Sequence, residues 1–249
     1  QTTSTIADEG RQRLAAGPLA VSFDQVAVQY EKERDFALRD ITFQLAAGET
    51  LGLLGRTGSG KTTLTRLLLR LVEPTSGAIH LGATGVVPSA LPLTELRRHI
   101  GMVTQDVQLF PATIRDNLTF FDPTVSDETL LAIAQRLGLA EWLTNLPAGL
   151  DTQVGAGGQG LSAGQAQLVA FLRIGLQDPG LVILDEPASR LDPVTERLLD
   201  QAIGRLLQGR TGIIIAHRLA TVQRVDKIMI LAEGRVVELG ERAVLLAQQ

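Results

Sequence analysis

Apolar and polar residues alternate from Leu19 onward in VSFDQVAV, and again in ITFQL (41–45), the period of strands with one face buried. The first of these reads as an edge strand. TLGLLG (50–55), LVILD (181–185), GIIIAH (212–217), KIMIL (227–231) and RVVEL (235–239) are more continuously apolar, as in strands covered on both faces. After TLGLLG the period changes: Leu64, Leu67, Leu68 and Leu71 fall on one helical stripe, and PTSG (74–77) predicts the turn that ends it. From Ser126 to Asp178 the pattern is helical, with Ser126 placed to cap and Asp127 and Glu128 in the favourable first turn. A helix over 193–207 and the late strands restore the alternation. The pattern predicts an α/β fold: a mostly parallel sheet covered by helices, an antiparallel β edge, and an inserted helical subdomain over about 106–178.

Residues 1–18 interrupt this scheme, being polar with a Gly17-Pro18 stop, and read as a linker or flexible lead-in. The chain starts at Gln1 rather than Met, without the basic-then-apolar form of a signal peptide, so a preceding segment is expected. Across 249 residues the formal net charge is −4, which supplies no general field for nucleic acid, and no nucleic-acid partner is expected. Cys is absent, excluding disulfides and thiolate metal sites. No apolar run approaches the ~18 to 20 residues that span a bilayer.

The candidate chemistry collects at strand ends. Gly55-Arg56-Thr57-Gly58-Ser59-Gly60-Lys61-Thr62 fits G-x-x-x-x-G-K-[ST] and lies between a predicted strand and a predicted helix. Its glycines let backbone N–H groups surround phosphates, Lys61 reaches the β/γ oxygens, and the Thr62 hydroxyl can ligate Mg²⁺. LVILD delivers Asp185 and Glu186 to the carboxyl end of a strand, Asp185 to hold Mg²⁺ and Glu186 to polarise an attacking water. Of three histidines, His217 follows a wholly apolar strand and is placed to touch a γ-phosphate or orient Glu186, while His80 and His99 read as surface or packing residues. Gln105, after GMVTQ, is either a solvated amide or a sensor touching Mg²⁺ and a moving subdomain. Tyr30, the single tyrosine, either packs or stacks on a base. Ser162 reads as the cap of a helix AGQAQLVAFLRIGL, making the N–H groups of Ala163, Gly164 and Gln165 a second anion-binding terminus. One nucleotide cannot readily use two such termini on one rigid lobe, so the second is expected to face a nucleotide on another copy.

Together these residues resemble the nucleotide-binding domain of ATP-binding cassette transporters, over nearly the whole chain from Leu19 to Gln249. In family order, Gly55 to Thr63 is similar to the Walker A loop, Gln105 to the Q-loop, LSAGQ (161–165) to the signature, LVILDE to Walker B with its glutamate, Ser189 to Asp192 to the D-loop, and His217 to the switch histidine. The resemblance implies a P-loop NTPase (RecA-like) core, ATP and Mg²⁺ as cofactors, and ATP hydrolysis coupled to transport. Lys61, Gln105, Glu186 and His217 would act on the reaction, with Thr62, Gln105 and Asp185 on the metal. Tyr30, Gly55 to Thr63 and, in trans, Ser162 to Gln165 would hold ATP. It also implies a head-to-tail dimer with a second such domain, and a transmembrane domain in the same chain or a separate subunit, at the cytoplasmic face of the membrane.

QDVQLFPATIRDN (105–117) and the run from Arg210 to Leu231 are most similar to exporter cassettes, in which residues 1–18 would lead from a membrane domain. Soluble cassette ATPases of translation or DNA repair, and importer subunits, are the alternatives. Ala163 stands where the family usually has Gly, and Ala166 and Leu168 replace its usual basic residues. Ala156 replaces a Glu often used for cross-talk with the membrane domain. These departures bear on coupling more than on hydrolysis.

Overall fold

The structure, a computed structural model, describes residues 10–31, 35–185, 192–215 and 223–247. The described residues form two compact units, one within Gln1–Gly101, Pro179–Ile183 and Gly209–Gln249, the other within Met102–Asp178 and Leu184–Gln208.

In the first unit, β1 (Val21–Val28) lies between β2 (Leu38–Leu45) and β4 (Ser76–Leu81), antiparallel to both. It is therefore central, not an edge strand. The expectation failed because β4 begins inside the PTSG turn signal and carries too few apolar residues to announce itself. Phe23 and Phe43 are register partners, and their rings stack at 4.7 Å.

The six-stranded sheet runs in the order β5 (Ile100–Val103), β6 (Leu181–Asp185), β7 (Thr211–Ile215), β3 (Thr50–Leu54), β8 (Lys227–Ala232) and β9 (Arg235–Glu241). β3 pairs in parallel with β7 and β8, and β9 closes one side antiparallel to β8. Leu51, Leu53, Ile213, Ile214 and Met229 are fully buried, which is why these strands lack alternation. Beside β3, the Thr50 amide and hydroxyl both donate to Asp226, at 2.8 and 2.7 Å, and Lys227 pairs with Glu49 at 2.8 Å. The Lys227 hydrogen bond holds the Glu49 carboxyl below its usual range.

Helix α1 (Lys61–Leu68) follows β3. It ends earlier than the leucine stripe predicts, because Arg70 turns left-handed (φ 51°) and the Leu71 N–H reaches back to the Arg66 carbonyl. Leu71 is left exposed. Helix α2 (Leu93–His99) receives part of the expected linker: Gln12 N–H donates to the Ala90 carbonyl, Leu14 N–H to Glu95, and the Leu14 side chain is buried. One apolar residue in a polar stretch is enough to seat it.

The second unit is helical: α3 (Ile114–Thr119), α4 (Asp127–Leu137), α5 (Ala140–Thr144), α6 (Ala163–Gln177) and α7 (Pro193–Leu207). α6 is its axis, packing on α3, α4 and α7, with Leu168, Phe171 and Leu172 buried. At Gly175 a Cβ would come within 2.8 Å of Ile133, so only glycine lets α4 lie this close. Ser126 caps α4 as expected, accepting from the Thr129 N–H. The chain closes in the first unit with α8 (Arg242–Ala247). Among the described residues no helix is long and apolar enough to cross a membrane.

Candidate nucleotide-binding site

The first unit gathers Tyr30 and the loop Gly55 to Thr63. β3 stops at Leu54, and the loop climbs over the start of α1 with Gly55, Gly58 and Gly60 all at positive φ (151°, 81° and 109°). A Cβ on Gly55 would lie 2.4 Å from the Leu231 carbonyl oxygen, and one on Gly60 2.6 Å from Leu38. At Gly58 a Cβ would meet nothing within 4 Å. The loop is thus pressed against the protein at its two ends and open at its crest, where Arg56, Thr57 and Gly58 are exposed.

Inside this cradle the Lys61 ammonium donates to the Gly55 and Arg56 carbonyls, at 2.6 and 3.1 Å, and is almost wholly buried. The Ser59 Oγ is buried without a hydrogen-bond partner among the described residues. Gly60, as N-cap, contributes no side-chain hydrogen bond, so the amino end of α1 is without a side-chain cap. Thr62 is exposed, its hydroxyl accessible, while Thr63 is buried and its Oγ1 lies 3.2 Å from the Tyr30 hydroxyl. Tyr30 sits on a bend just past β1 with 49% of its surface exposed. These are the features of a phosphate cradle with an aromatic plate beside it.

The second unit holds the other predicted terminus. Ser162 is the N-cap of α6, and with Gln165 it forms a capping box: the Ser162 Oγ accepts from the Gln165 N–H, and the Gln165 Oε1 from the Ser162 N–H. Ala163 is helical and exposed, so its Cβ is accommodated. Gln105 is exposed in the loop after β5, and Asp185 is half-buried at the carboxyl end of β6. Glu186, Ser189 and His217 lie outside the described residues. His80 meets the Gly85 carbonyl and His99 meets Glu95, local contacts that fit their assignment to surface or packing roles.

A model of the ABC transporter family matches residues 38–189. The chain belongs to this family. An uncharacterized ABC transporter ATP-binding protein of Bacillus subtilis, YknV, is 41% identical over 92% of the chain and 37% of the relative. An ATP-dependent lipid A-core flippase of Chromobacterium violaceum is 39% identical over 97% of the chain and 41% of the relative. The solved structure of a bacterial Atm1-family ABC exporter with ATP bound superposes with a TM-score of 0.86 at 34% identity, over 98% of the chain and 42% of the exporter. The cassette thus spans about two fifths of the length of the proteins it matches. It has the P-loop NTPase fold and is an ABC ATPase domain, with ATP as its nucleotide.

One region of the cassette carries features that motif reading missed. Met102, Val107, Phe110, Phe120, Arg173 and Ile174 contribute to a cavity of about 610 Å³ within the second unit. Phe110 meets the rings of Phe120 and Phe121 edge-on, and all three are exposed. Phe120 and Phe121 both have positive φ (52° and 66°), which costs a side chain about 1 to 2 kcal/mol each. Beneath them Arg173 lies over the Phe120 ring at 4.7 Å and donates to Asn117 and to the Gln108 carbonyl. Burial holds the Arg173 pKa below the usual guanidinium value. An apolar FF pair after a helix reads as core in sequence, so no local signal marks this surface.

Proposed function

We propose that this chain is the ATP-hydrolysing motor of an ABC exporter, working as a head-to-tail pair in which ATP held by the Gly55–Thr63 loop of one copy meets the Ser162 terminus of the other. The observation that carries the reading is the pair of prepared helix amino ends, one in each unit, on a chain that superposes almost end to end on an ATP-bound exporter. The backbone of the loop and Lys61 would hold the phosphates, and Tyr30 would stack on the base. Thr62, Gln105 and Asp185 each carry a hard oxygen donor of the kind that suits Mg²⁺ and would hold it; the ion would supply charge neutralisation at the phosphates. Glu186 would accept the proton of the attacking water and His217 would orient it.

Residues 1–18 would connect to a membrane domain, placing the cassette at the cytoplasmic face of the membrane. The Phe110–Phe120–Phe121 surface would seat a segment of that domain. Two successive left-handed aromatics held outward cost stability that a docking role would offset, and the relatives have about three fifths of their length outside the matched part.

The experiment is mixing. Lys61→Ala and Ser162→Ala chains, each poorly active alone, are combined in varying ratio under conditions where wild type dimerises and exchanges subunits. A mixed pair regenerates one intact site, so ATPase rate should pass through a maximum above both pure variants. A straight line between them would refute action in trans.

A further inference from the structure

Tyr30 is a half-exposed ring on a surface bend, where a side chain ordinarily samples several rotamers. Here its hydroxyl is tethered 3.2 Å from the Thr63 Oγ1, and Thr63 is a buried residue in the first turn of α1. Tyrosine turns about two bonds, and because the hydroxyl oxygen lies on the axis of the second, holding it fixes χ1 and so the place of the ring, leaving only rotation of the ring about its own axis. The anchor belongs to the same helix that begins with Lys61, so the height of the ring is set relative to the phosphate cradle itself. We infer that Thr63 is a positioning residue for Tyr30: its hydroxyl pre-sets the ring for the base, linking base recognition to the phosphate loop through one hydrogen bond. The inference rests on the reading of Tyr30 as the base-stacking side chain. It gives a physical reason for tyrosine at this position, since phenylalanine has the same stacking face but nothing for Thr63 to hold.

Pre-ordering one side chain avoids an ordering cost on binding that corresponds to about 2- to 10-fold in affinity. The test is calorimetric titration of the 249-residue chain with ADP and, separately, with pyrophosphate, which lacks a base. Tyr30→Phe is expected to bind ADP about 2- to 10-fold more weakly and pyrophosphate as wild type does. Thr63→Val should weaken ADP less on the Tyr30→Phe background than alone, since the shared hydrogen bond is already gone, and Thr63→Ser, which keeps the hydroxyl, should restore the coupling with Tyr30. Tyr30 is the chain's single tyrosine, so one ¹³C-labelled ring reports it by NMR. In Thr63→Val its signals should move toward the average of several χ1 rotamers.

If Tyr30→Phe binds ADP as wild type while Tyr30→Ala is weak, stacking stands and the positioning role is overturned. If Tyr30→Ala also binds as wild type, the stacking reading fails and takes the inference with it. If Thr63→Val weakens ADP and pyrophosphate equally and adds in full to Tyr30→Phe, Thr63 serves the phosphates directly and the inference is wrong. Tyr30→Phe, a change on an exposed ring, keeps the test decisive even if Thr63→Val does not fold.

Discussion

Helix α1 of the first unit starts at a left-handed glycine with no side-chain cap, whereas α6 of the second unit starts at a serine closed into a capping box. Both ends present backbone N–H groups, yet they are finished for different situations. The α1 end has no side-chain cap, and what holds it in shape is the loop around it, with Lys61 folded onto the Gly55 and Arg56 carbonyls. The α6 end is closed in part by its own side chains, which take the Ser162 and Gln165 N–H groups with nothing bound. A serine oxygen that accepts from an N–H still has its O–H to give, so Ser162 can donate to an anion without opening the box. An end without a side-chain cap, cradled by its loop, suits a resident ligand. A self-capped end suits a surface that meets its ligand only intermittently, as in a pair that opens and closes.

The largest expected effect leaves both ends intact. Glu186→Gln should lower ATP turnover by about 10² to 10⁴ while ATP still binds, separating holding from chemistry. Near-normal steady-state ATPase activity would remove Glu186 from the role of base. Next is the first unit's ring: Tyr30→Ala should weaken ATP about 5- to 150-fold, measured by equilibrium binding with the fold checked by circular dichroism. On the other side of the comparison, Ser162→Ala loses a cap and, under the proposed function, a phosphate donor. ATPase activity should fall about ten- to a hundredfold, through loss of a hydrogen bond to a charged group, and the unit should lose about 1 kcal/mol of stability in denaturant titration. Ser162→Asn is expected to restore the stability but not the activity; recovery of both together would show that capping is all Ser162 does.

The smallest effect is a pH dependence confined to the first unit. The Lys227 hydrogen bond holds Glu49 below its usual pKa, so the stability it contributes is present above the unfolded-state value and is lost as pH falls through the folded-state value. Both partners are partly exposed, so the change is small. Glu49→Gln should flatten the acid limb of the stability profile slightly, and an unchanged limb would show that the pair contributes nothing.

Much of this was legible before any coordinates. A phosphate loop is local, since strand, glycines, lysine and helix follow one another, and Ser162 with Gln165 writes its cap into four residues. β1 was misplaced because its second neighbour, β4, lies some fifty residues downstream and opens with SG, a turn signal. Leu71 kept the spacing of a stripe that the left-handed Arg70 had already broken. The Tyr30–Thr63 tether joins residues that sequence assigns separately to base and phosphate, and nothing local connects them. The aromatic surface was hidden for the opposite reason: Phe110, Phe120 and Phe121 have the composition of a core, and only backbone angles and exposure show that they face outward.

Under the proposed docking role, Phe120 and Phe121 set the cassette's stability against its use. Glycine at 120 or 121 would relax a left-handed residue, so a screen for heat tolerance on the isolated chain should favour it. A screen for growth that depends on the whole transporter should favour the aromatics. The two selections would drive the same codons in opposite directions, and a lineage that lost its membrane partner would be expected to drift toward glycine at these positions first.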